Sequence, residues 1–358
     1  MTLTVKQLNR FSLLVCAPFL GILLWMVLSH FTIDLPEESF PYIASERPPA
    51  AAQEMDKLQA ALGQAKETAN ITAASIKKTV SLYNKTNAEM NQIAKTAIAQ
   101  ATRPAMIYDK RITSKLGMPI QTIQSSKITA SLFPIKAAYF TGYALKIKLK
   151  SPDAMKMVLG KDEWGGAETT LSAVKRYKAI AGVNAGGFAD KGKKRYPLST
   201  TMLNGDYVAG FQPTMKDLFF VGMDEDMKLI GGNFSSKQQL DALKPQFGAS
   251  FVPILMKNKV ALPIPQKWQT SPKRAPRTVV ANYRDNQLLF LVTNGYDEKG
   301  SSGATLREMQ ILLSRYQAVD GYNLDGGGSS SLVFGGQVIN TPSDGKLRSL
   351  PTHFLFFK

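Results

Sequence analysis

Residues 11–31 form a segment of 21 residues without a formal charge, and this segment limits how the rest of the chain can be arranged. As a helix it would span about 30 Å, the thickness of the hydrocarbon core of a bilayer. Lys6 and Arg10 precede it, and acidic residues follow it. The positive-inside rule then predicts a single-pass anchor in the cell membrane, with a cytoplasmic tail at residues 1–10 and the remainder outside.

Two other interpretations of this segment fit less well. A cleavable signal has a shorter apolar core and a nearby small-residue site, whereas the alanine-rich stretch at residues 50–52 lies far downstream. In a lipoprotein signal the cysteine follows the apolar core, but Cys16 lies near the start of this one. Cys16 is the single cysteine, so the chain can form no internal disulfide bond.

A linker and a long helix are predicted to follow the anchor. Residues 32–49 contain four prolines, which indicates an extended linker. Residues 50–102 contain no proline and show the spacing of three and four residues that is typical of a helical seam. The seam positions are Met55, Leu58, Leu62, Ala65, Ala69, Thr72, Ile76, Thr79, Tyr83, Thr86, Met90, Ile93 and Ala97. The pattern allows a homodimeric coiled-coil stem or a single helix lying on the next domain, and Pro104 is expected to end it.

The remainder is predicted to be a strand-rich α+β domain at residues 131–358, after a linker and first strands at residues 103–130. Apolar and polar residues alternate within residues 139–150, which places Lys146, Lys148 and Lys150 on one face of a predicted strand. Helices are predicted at residues 170–177 and 306–316. Further strands are predicted at residues 179–183, 218–221, 278–282, 288–292, 321–324, 331–334 and 353–357. Because helices and strands do not alternate regularly, a doubly wound sheet is excluded.

The chain is strongly basic, with 44 Lys and Arg against 27 Asp and Glu and a net charge of +17. The electrostatic field of a protein with this net charge favours polyanionic partners, including phosphorylated sugars and anionic cell-wall glycopolymers. The charges are spread along the chain, so a generally basic, soluble surface explains them equally well. Nucleic acid is not an expected partner, because the predicted topology places the domain outside the cell.

A run of small residues follows Asp325 between two apolar strands. It consists of Gly326, Gly327, Gly328 and three serines beginning at Ser329. Three consecutive glycines are entropically costly and are retained where the backbone needs positive φ or a close approach. No Gly-Lys-Ser/Thr sequence follows, so this is not a nucleotide-binding P-loop. The run predicts either an elaborate turn or a cradle of backbone N–H groups for an oxyanion, with Asp325 in the site.

Other motifs are weaker when they are taken singly. Asn184 ends an apolar strand and precedes the Gly186–Gly187 pair, which suits a loop or a ligand site. Arg277 follows a proline at the start of a strand, and its fork suits phosphate as well as an ordinary surface position.

Glu308 completes a capping box with Thr305, so a structural role competes with a role as a site carboxylate. The chain has only two histidines, His30 and His353, which makes a Ser–His–Asp triad and a multi-histidine metal site improbable. Chemistry must therefore depend on carboxylates, arginine, amides and the backbone.

These motifs also occur together and in one order along residues 140–357. They are Gly142-Tyr143, Asn184-Ala185-Gly186-Gly187-Phe188, Asn204-Gly205-Asp206, Arg277-Thr278, residues 302–308, the block from Asn323 to Ser330, Asn340 and Arg348. The combination resembles the phosphodiester glycosidase family, whose bacterial members are often associated with exopolysaccharide biosynthesis. The Asn-Leu-Asp-Gly-Gly-Gly-Ser block is its most specific part. Ala185, where relatives commonly have glycine, and the basic residues 191–195 depart from the family pattern.

The resemblance implies hydrolysis of the glycosidic C–O bond of a sugar-1-phosphodiester. It implies Asp325 as the principal catalytic carboxylate, Glu308 as a second one and Arg277 as a stabiliser of phosphate charge. Substrate contacts are expected from two asparagines, five glycines and one serine, namely Asn184, Gly186, Gly187, Asn323, Gly326, Gly327, Gly328 and Ser329. No cofactor is required by this interpretation. The sequence leaves open whether Asp325 binds a divalent cation, because it shows no clear set of additional metal ligands. A non-catalytic module that binds an anionic glycopolymer is the alternative function.

Overall fold

A computed structural model describes residues 17–22, 24–25, 49–295, 302–343 and 345–358. Residues 17–22 and 24–25 are helical. Most of the predicted membrane segment, residues 11–31, and of the predicted linker, residues 32–49, lies outside the described residues. Within the described part, no helix is both long and apolar enough to span a bilayer.

The first long element, α1, runs from Pro49 to Leu116 and contains Pro104. The prediction that Pro104 ends the helix is therefore wrong, and residues 103–116 are helix instead of linker. A proline inside a helix costs about 3 kcal/mol, through a lost hydrogen bond and a steric clash. The last turns offset this cost by burial, because Ile112 and Leu116 enter the hydrophobic core and Asp109 pairs with Lys146.

The predicted seam of α1 is exposed, as is every side chain between residues 53 and 107. Thr72 and Thr79 donate their hydroxyl hydrogens to the carbonyls four residues earlier, so these polar groups are satisfied within the helix. Their methyl groups can therefore contribute to an apolar seam. Pairing of this seam with a second chain stays a prediction.

Within the described residues, twenty strands and four short helices follow α1. The helices are α2 (Thr170–Tyr177), α3 (Lys237–Asp241), α4 (Gln266–Thr270) and α5 (Leu306–Arg315). The strands are β1 (Gln121–Gln124), β2 (Ile128–Lys136), β3 (Thr141–Leu149), β4 (Met155–Leu159), β5 (Ala181–Asn184), β6 (Phe188–Lys191), β7 (Lys194–Pro197), β8 (Met202–Leu203), β9 (Asp206–Tyr207), β10 (Phe219–Asp224), β11 (Leu229–Gly232), β12 (Pro245–Phe251), β13 (Ile254–Lys257), β14 (Val260–Ala261), β15 (Thr278–Asn282), β16 (Leu288–Thr293), β17 (Asp320–Leu324), β18 (Leu332–Phe334), β19 (Gln337–Val338) and β20 (Thr352–Phe356).

The strands form three larger sheets and one hairpin, and every described pairing between them is antiparallel. The eight-stranded sheet has the order β1-β2-β3-β16-β15-β17-β13-β14, and the two five-stranded sheets have the orders β11-β10-β12-β8-β9 and β19-β18-β5-β20-β4. Strands β6 and β7 form the hairpin. The prediction of a strand-rich α+β domain is confirmed, and the predicted strands and helices within it match to within a few residues.

One apolar cluster joins the three sheets, with Phe290, Phe219 and Phe354 as contributions from each of them. A second cluster packs the opposite face of the eight-stranded sheet against the end of α1 and against α5. Strand β17 lies in the middle of the eight-stranded sheet, and the chain then crosses to β18 in another sheet. The loop between these two strands is therefore held from both sides by rigid elements.

Candidate active site

Asp325 is the first residue after β17, and the short 3-10 turn Gly327–Ser329 follows it. Two of the glycines in this loop are required for different structural reasons. A Cβ at Gly326 would lie 2.9 Å from the carbonyl oxygen of Pro276, so the backbone approach excludes a side chain. Gly327 has a φ of 60° and open space beside it, so the turn itself requires glycine there.

Asn184 holds this loop in place from the end of β5. It is fully buried, and its Nδ2 donates to the carbonyl oxygen of Asp325 at 2.7 Å. Its Oδ1 accepts from the Thr278 hydroxyl at 2.9 Å and from the Ser331 N–H at 3.0 Å. Because its amide is used inside the protein, the structure favours a positioning role for Asn184 over the predicted contact with substrate.

The backbone N–H groups of the loop are also largely used inside the protein. The N–H groups of Gly326 and Gly327 donate to Asp325 Oδ1 and to the Pro276 carbonyl, respectively. The N–H groups of Ser329 and Ser330 donate to the carbonyls of Gly326 and Gly327. The N–H group of Ser331 donates to Asn184 Oδ1. An N–H that already donates is not free for a ligand. These five positions do not form the predicted oxyanion cradle, and an anion at this site must be bound mainly by side chains.

The carboxyl group of Asp325 is in an unusual environment. The residue as a whole is half-buried, but its Oδ2 is shielded from solvent and has no hydrogen-bond partner. Burial raises the pKa of Asp325 to about 6, while the Ser329 hydroxyl, the Gly326 N–H and the charges of Arg348 and Arg195 act in the opposite direction. A carboxyl with this pKa changes charge near neutral pH, which is a property of general bases and acids in active sites.

Arg348 and Arg195 are site residues for which no role was predicted from the sequence. The Arg348 Nη1 lies 3.5 Å from the hydroxyl oxygen of Ser329, next to Asp325. Arg195 is paired with Asp190 at 2.7 and 3.1 Å, donates to the Ser349 carbonyl and stacks at 4.2 Å over the ring of Phe188. Arg348 is part of the motif set of the resembled family, and Arg195 is part of the unusual basic loop, so each had a sequence signal.

Arg277 lies next to the glycine loop, where its Cδ would be 3.9 Å from a Cβ at Gly326. Its Nε donates to the Ala304 carbonyl at 3.0 Å and its Nη2 to the Pro272 carbonyl at 2.8 Å. Burial lowers the pKa of Arg277 to about 10, so it stays protonated at neutral pH. Among the described residues no carboxylate pairs with it. A buried, unpaired cation agrees with its predicted role toward an anionic group.

Glu308 is used at the start of α5. Its side chain accepts from the Thr305 N–H at 2.7 Å, which completes the expected capping box, and it pairs with Arg274 at 2.5 Å. Burial raises the pKa of Glu308, but the hydrogen bonds from Thr305 and Arg274 outweigh this and keep it below the usual range. The structure therefore favours the capping role, and no described contact joins Glu308 to Asp325. Arg274 also donates to the Gly303 carbonyl, which fixes the segment that carries Arg277.

The glycine pair after Asn184 is explained by packing. A Cβ at Gly186 would lie 2.6 Å from the Ala249 Cβ, and one at Gly187 would lie 2.5 Å from the Phe251 ring, both on β12. Neither glycine needs a ligand to account for it.

Asn323 is different, because it keeps an unused acceptor. Its Nδ2 donates to the Val252 carbonyl at 2.6 Å, whereas its Oδ1 is buried without a partner. Asn323 lies near the end of β17 and Asp325 is the first residue after it, so the two occupy alternate positions of the chain. Side chains at alternate positions of an extended chain point to the same face. Two unsatisfied acceptors at one strand end agree with a site that receives donors from a ligand. No group of three metal-ligating side chains is found among the described residues.

Comparison with known proteins identifies the family of this chain. The profile of the family described as phosphodiester glycosidase matches residues 177–357. An uncharacterized SPbeta prophage-derived protein of Bacillus subtilis, YomE, is 28% identical over 186 residues, which are 51% of this chain and 28% of that protein. The N-acetylglucosamine-1-phosphodiester alpha-N-acetylglucosaminidase of Bos taurus is 40% identical over 68 residues, which are 19% of this chain and 12% of the enzyme. The chain thus spans less than a third of the length of these relatives.

Two solved structures share the fold. The catalytic domain of the zebrafish N-acetylglucosamine-1-phosphodiester alpha-N-acetylglucosaminidase, auto-inhibited by its pro-peptide, has a TM-score of 0.51 at 18% identity and covers 67% of this chain and 89% of that one. A hypothetical protein from Synechocystis has a TM-score of 0.50 at 14% identity and covers 68% of this chain and 64% of that one. The family profile covers half of the chain and includes Asn184, Arg277, Asp325 and Arg348. This chain therefore belongs to the phosphodiester glycosidase family.

Proposed function

We propose that this protein hydrolyses a sugar-1-phosphodiester in a cell-envelope glycan or teichoic-type polymer. The observation that supports this most is the Asp325 carboxyl, which is shielded, has a pKa near neutrality and lies beside Arg348 and Arg195. Such a site offers a negative charge for a sugar that becomes cationic and positive charges for the phosphate that leaves it.

The proposed reaction uses one water molecule. Water attacks the anomeric carbon, the bond from that carbon to the phosphate oxygen breaks, and its electron pair stays on the oxygen. The products are the free sugar and a phosphomonoester, with one proton released. Ionised Asp325 stabilises the positive charge that develops on the sugar and accepts a proton from water. A phosphomonoester is a good leaving group, so the reaction does not need a second carboxylic acid, which agrees with the use of Glu308 as a helix cap.

The proposal places the enzyme at the outer face of the cell membrane. Its support is the uncharged segment at residues 11–31, with Lys6 and Arg10 before it. Enzyme and polymer would then meet in the cell envelope. The basic charge of the chain favours an anionic glycopolymer as the partner.

The direct test is to incubate the full chain with an N-acetylglucosamine-1-phosphodiester and with a teichoic-type polymer. We expect release of free sugar together with an equal amount of phosphomonoester. Release of inorganic phosphate or of a sugar phosphate would show that another bond is broken and would contradict the proposed reaction. Binding of these ligands without any release would support the non-catalytic binding module instead.

The pKa of Asp325 predicts the pH dependence of the reaction. Because the ionised carboxylate is the active form, kcat/KM is expected to rise about tenfold for each pH unit below 6 and to level off above pH 7. The measurement is kcat/KM for sugar release between pH 4.5 and 8. A profile that falls through pH 6 would mean that the protonated form is active, and the assigned role would then be wrong.

A further inference from the structure

A second polar groove lies at the edge of the eight-stranded sheet, and none of its lining residues belongs to the Asp325 site. Its volume is about 320 Å³. It is lined by the end of α1, by β1, β2 and β3, and by the turn before β16. The lining residues are Asp109, Thr113, Gln124, Thr129, Ser131, Lys146, Lys148, Lys150 and Gln287.

The sheet face changes from apolar to polar along this groove. Near the centre, Phe133 and Ala144 face α1 as part of the core. Further along the same strands, Ser131 pairs across from Lys146 and Thr129 pairs across from Lys148. Strand β1 continues the second row, because Gln124 is the partner of Thr129. Hydroxyls, amides and lysines side by side can bind a ligand that has both charges and hydroxyl groups.

Lys146 closes the inner end of the groove and is not available to a ligand. It is buried, and its Nζ donates to Asp109 and to the Thr113 hydroxyl, both at 2.6 Å. Asp109 also accepts from Gln287 at 2.7 Å. The single carboxylate of the groove is therefore neutralised by a buried lysine.

Lys148 and Lys150 supply the charge that remains. The Lys148 side chain is exposed and makes no hydrogen bond or ion pair within the described part of the chain, although its charge helps to lower the pKa of Asp109. The Lys150 side chain is exposed, and its Nζ donates to the Ser125 carbonyl, which carries no charge. Lys146 and Lys148 lie at alternate positions of β3, and Lys150 follows directly after the end of the strand, so the Cα atoms of successive lysines are about 7 Å apart. The positive charges of the groove are therefore spread along the strand direction and are not concentrated at one position.

We propose that this groove binds an extended anionic glycopolymer, at a site separate from the catalytic one. Charge complementarity selects the occupant, because a linear polymer with repeated anionic groups can contact Lys148 and Lys150 together, and its hydroxyls can contact Gln124 and Thr129. A small free anion would use only one lysine. The groove holds the polymer while the active site acts on it, so that binding at the groove does not depend on Asp325.

The test measures binding of long-chain inorganic polyphosphate to the full chain and compares two double variants. Lys148→Gln with Lys150→Gln removes the two free charges of the groove. Lys77→Gln with Lys78→Gln removes two exposed charges from α1 and serves as the control. We expect the groove variant to bind about tenfold more weakly and to lose about two units of the slope of log affinity against log salt concentration. The control is expected to change the affinity less than twofold.

Three further measurements make the result specific. Lys148→Arg should keep the wild-type affinity, and Gln124→Ala should weaken binding about threefold without any change in charge. Sugar release from a small diester should be unchanged in the groove variant, so a failure here is separate from a failure of the proposed function. Equal losses of polyphosphate affinity in both double variants would overturn the proposal. So would a groove variant that loses binding to vesicles of anionic lipid but keeps its affinity for polyphosphate. The first would show a general charge effect, and the second would show a membrane-binding surface.

Discussion

Substitution of Asp325 by asparagine is expected to lower kcat for sugar release at pH 7 by a factor of about 10³ or more. Asparagine has nearly the same shape and can keep the hydrogen bond between its Oδ1 and the Gly326 N–H. It cannot carry the negative charge that stabilises the developing cation, and it cannot accept the proton from water. Because substrate is held mainly through other groups, KM should change much less than kcat. The measurement is steady-state kinetics on one diester.

The stability of the same variant separates loss of chemistry from loss of fold. The pKa of Asp325 is raised from 3.8 to about 6 by burial, so the folded protein holds this proton more tightly than the unfolded chain does. The stability that this provides is present at low pH and is lost as the pH rises through about 6. Asp325→Asn should therefore be at least as stable as the wild type at pH 8, by up to about 3 kcal/mol.

A control with an exposed carboxylate completes the comparison. Asp153→Asn removes a carboxylate whose nearest cation is 3.8 Å away, and it should change neither kcat nor the pH dependence of Tm. If Asp325→Asn retained more than a tenth of the wild-type kcat, Asp325 would not be the principal carboxylate. If its Tm at pH 8 fell well below that of the wild type, reduced activity would reflect damage to the fold.

The local sequence predicted the elements of the domain well because their signals are local. Alternating residues predicted β3, and the Thr305–Glu308 spacing predicted the start of α5 and its capping box. The glycine run after Asp325 predicted the loop that carries the carboxyl group. The helix end at Pro104 was predicted wrongly, because tertiary packing of Ile112 and Leu116 outweighs a local breaking signal.

The partners within the site could not be predicted from local patterns. Arg195 and Arg348 come from distant parts of the chain, and only the folded sheets bring them to Asp325. The amide of Asn184 has the same polarity whether it contacts a sugar or a backbone carbonyl, so only its surroundings show that it positions the loop. The same holds for Gly186, because its close neighbour Ala249 belongs to a later strand.

Substitution of Arg348 by glutamine is expected to lower kcat/KM for the diester by about 10²-fold. Arg348 is the half-buried cation beside Ser329 and Asp325, so it is placed to stabilise the charge that grows on the leaving phosphate. Arg348→Lys should restore only part of the activity, because lysine keeps the charge but lacks the planar fork. Arg307→Gln, which removes an exposed arginine of α5, is the matched control and should leave kcat/KM unchanged.

The pH profile of the Arg348 variant distinguishes a site residue from a structural one. The positive charge of Arg348 lowers the pKa of Asp325, so its removal should move the rising limb of kcat/KM above pH 6. Arg195→Gln should move the limb in the same direction but by less, because the charge of Arg195 has the smaller effect on Asp325. A structural defect would lower the rate equally at every pH. An unshifted limb in the Arg348 variant would therefore mean that Arg348 does not act on the charge of Asp325, and the phosphate would have to be assigned to Arg277 instead.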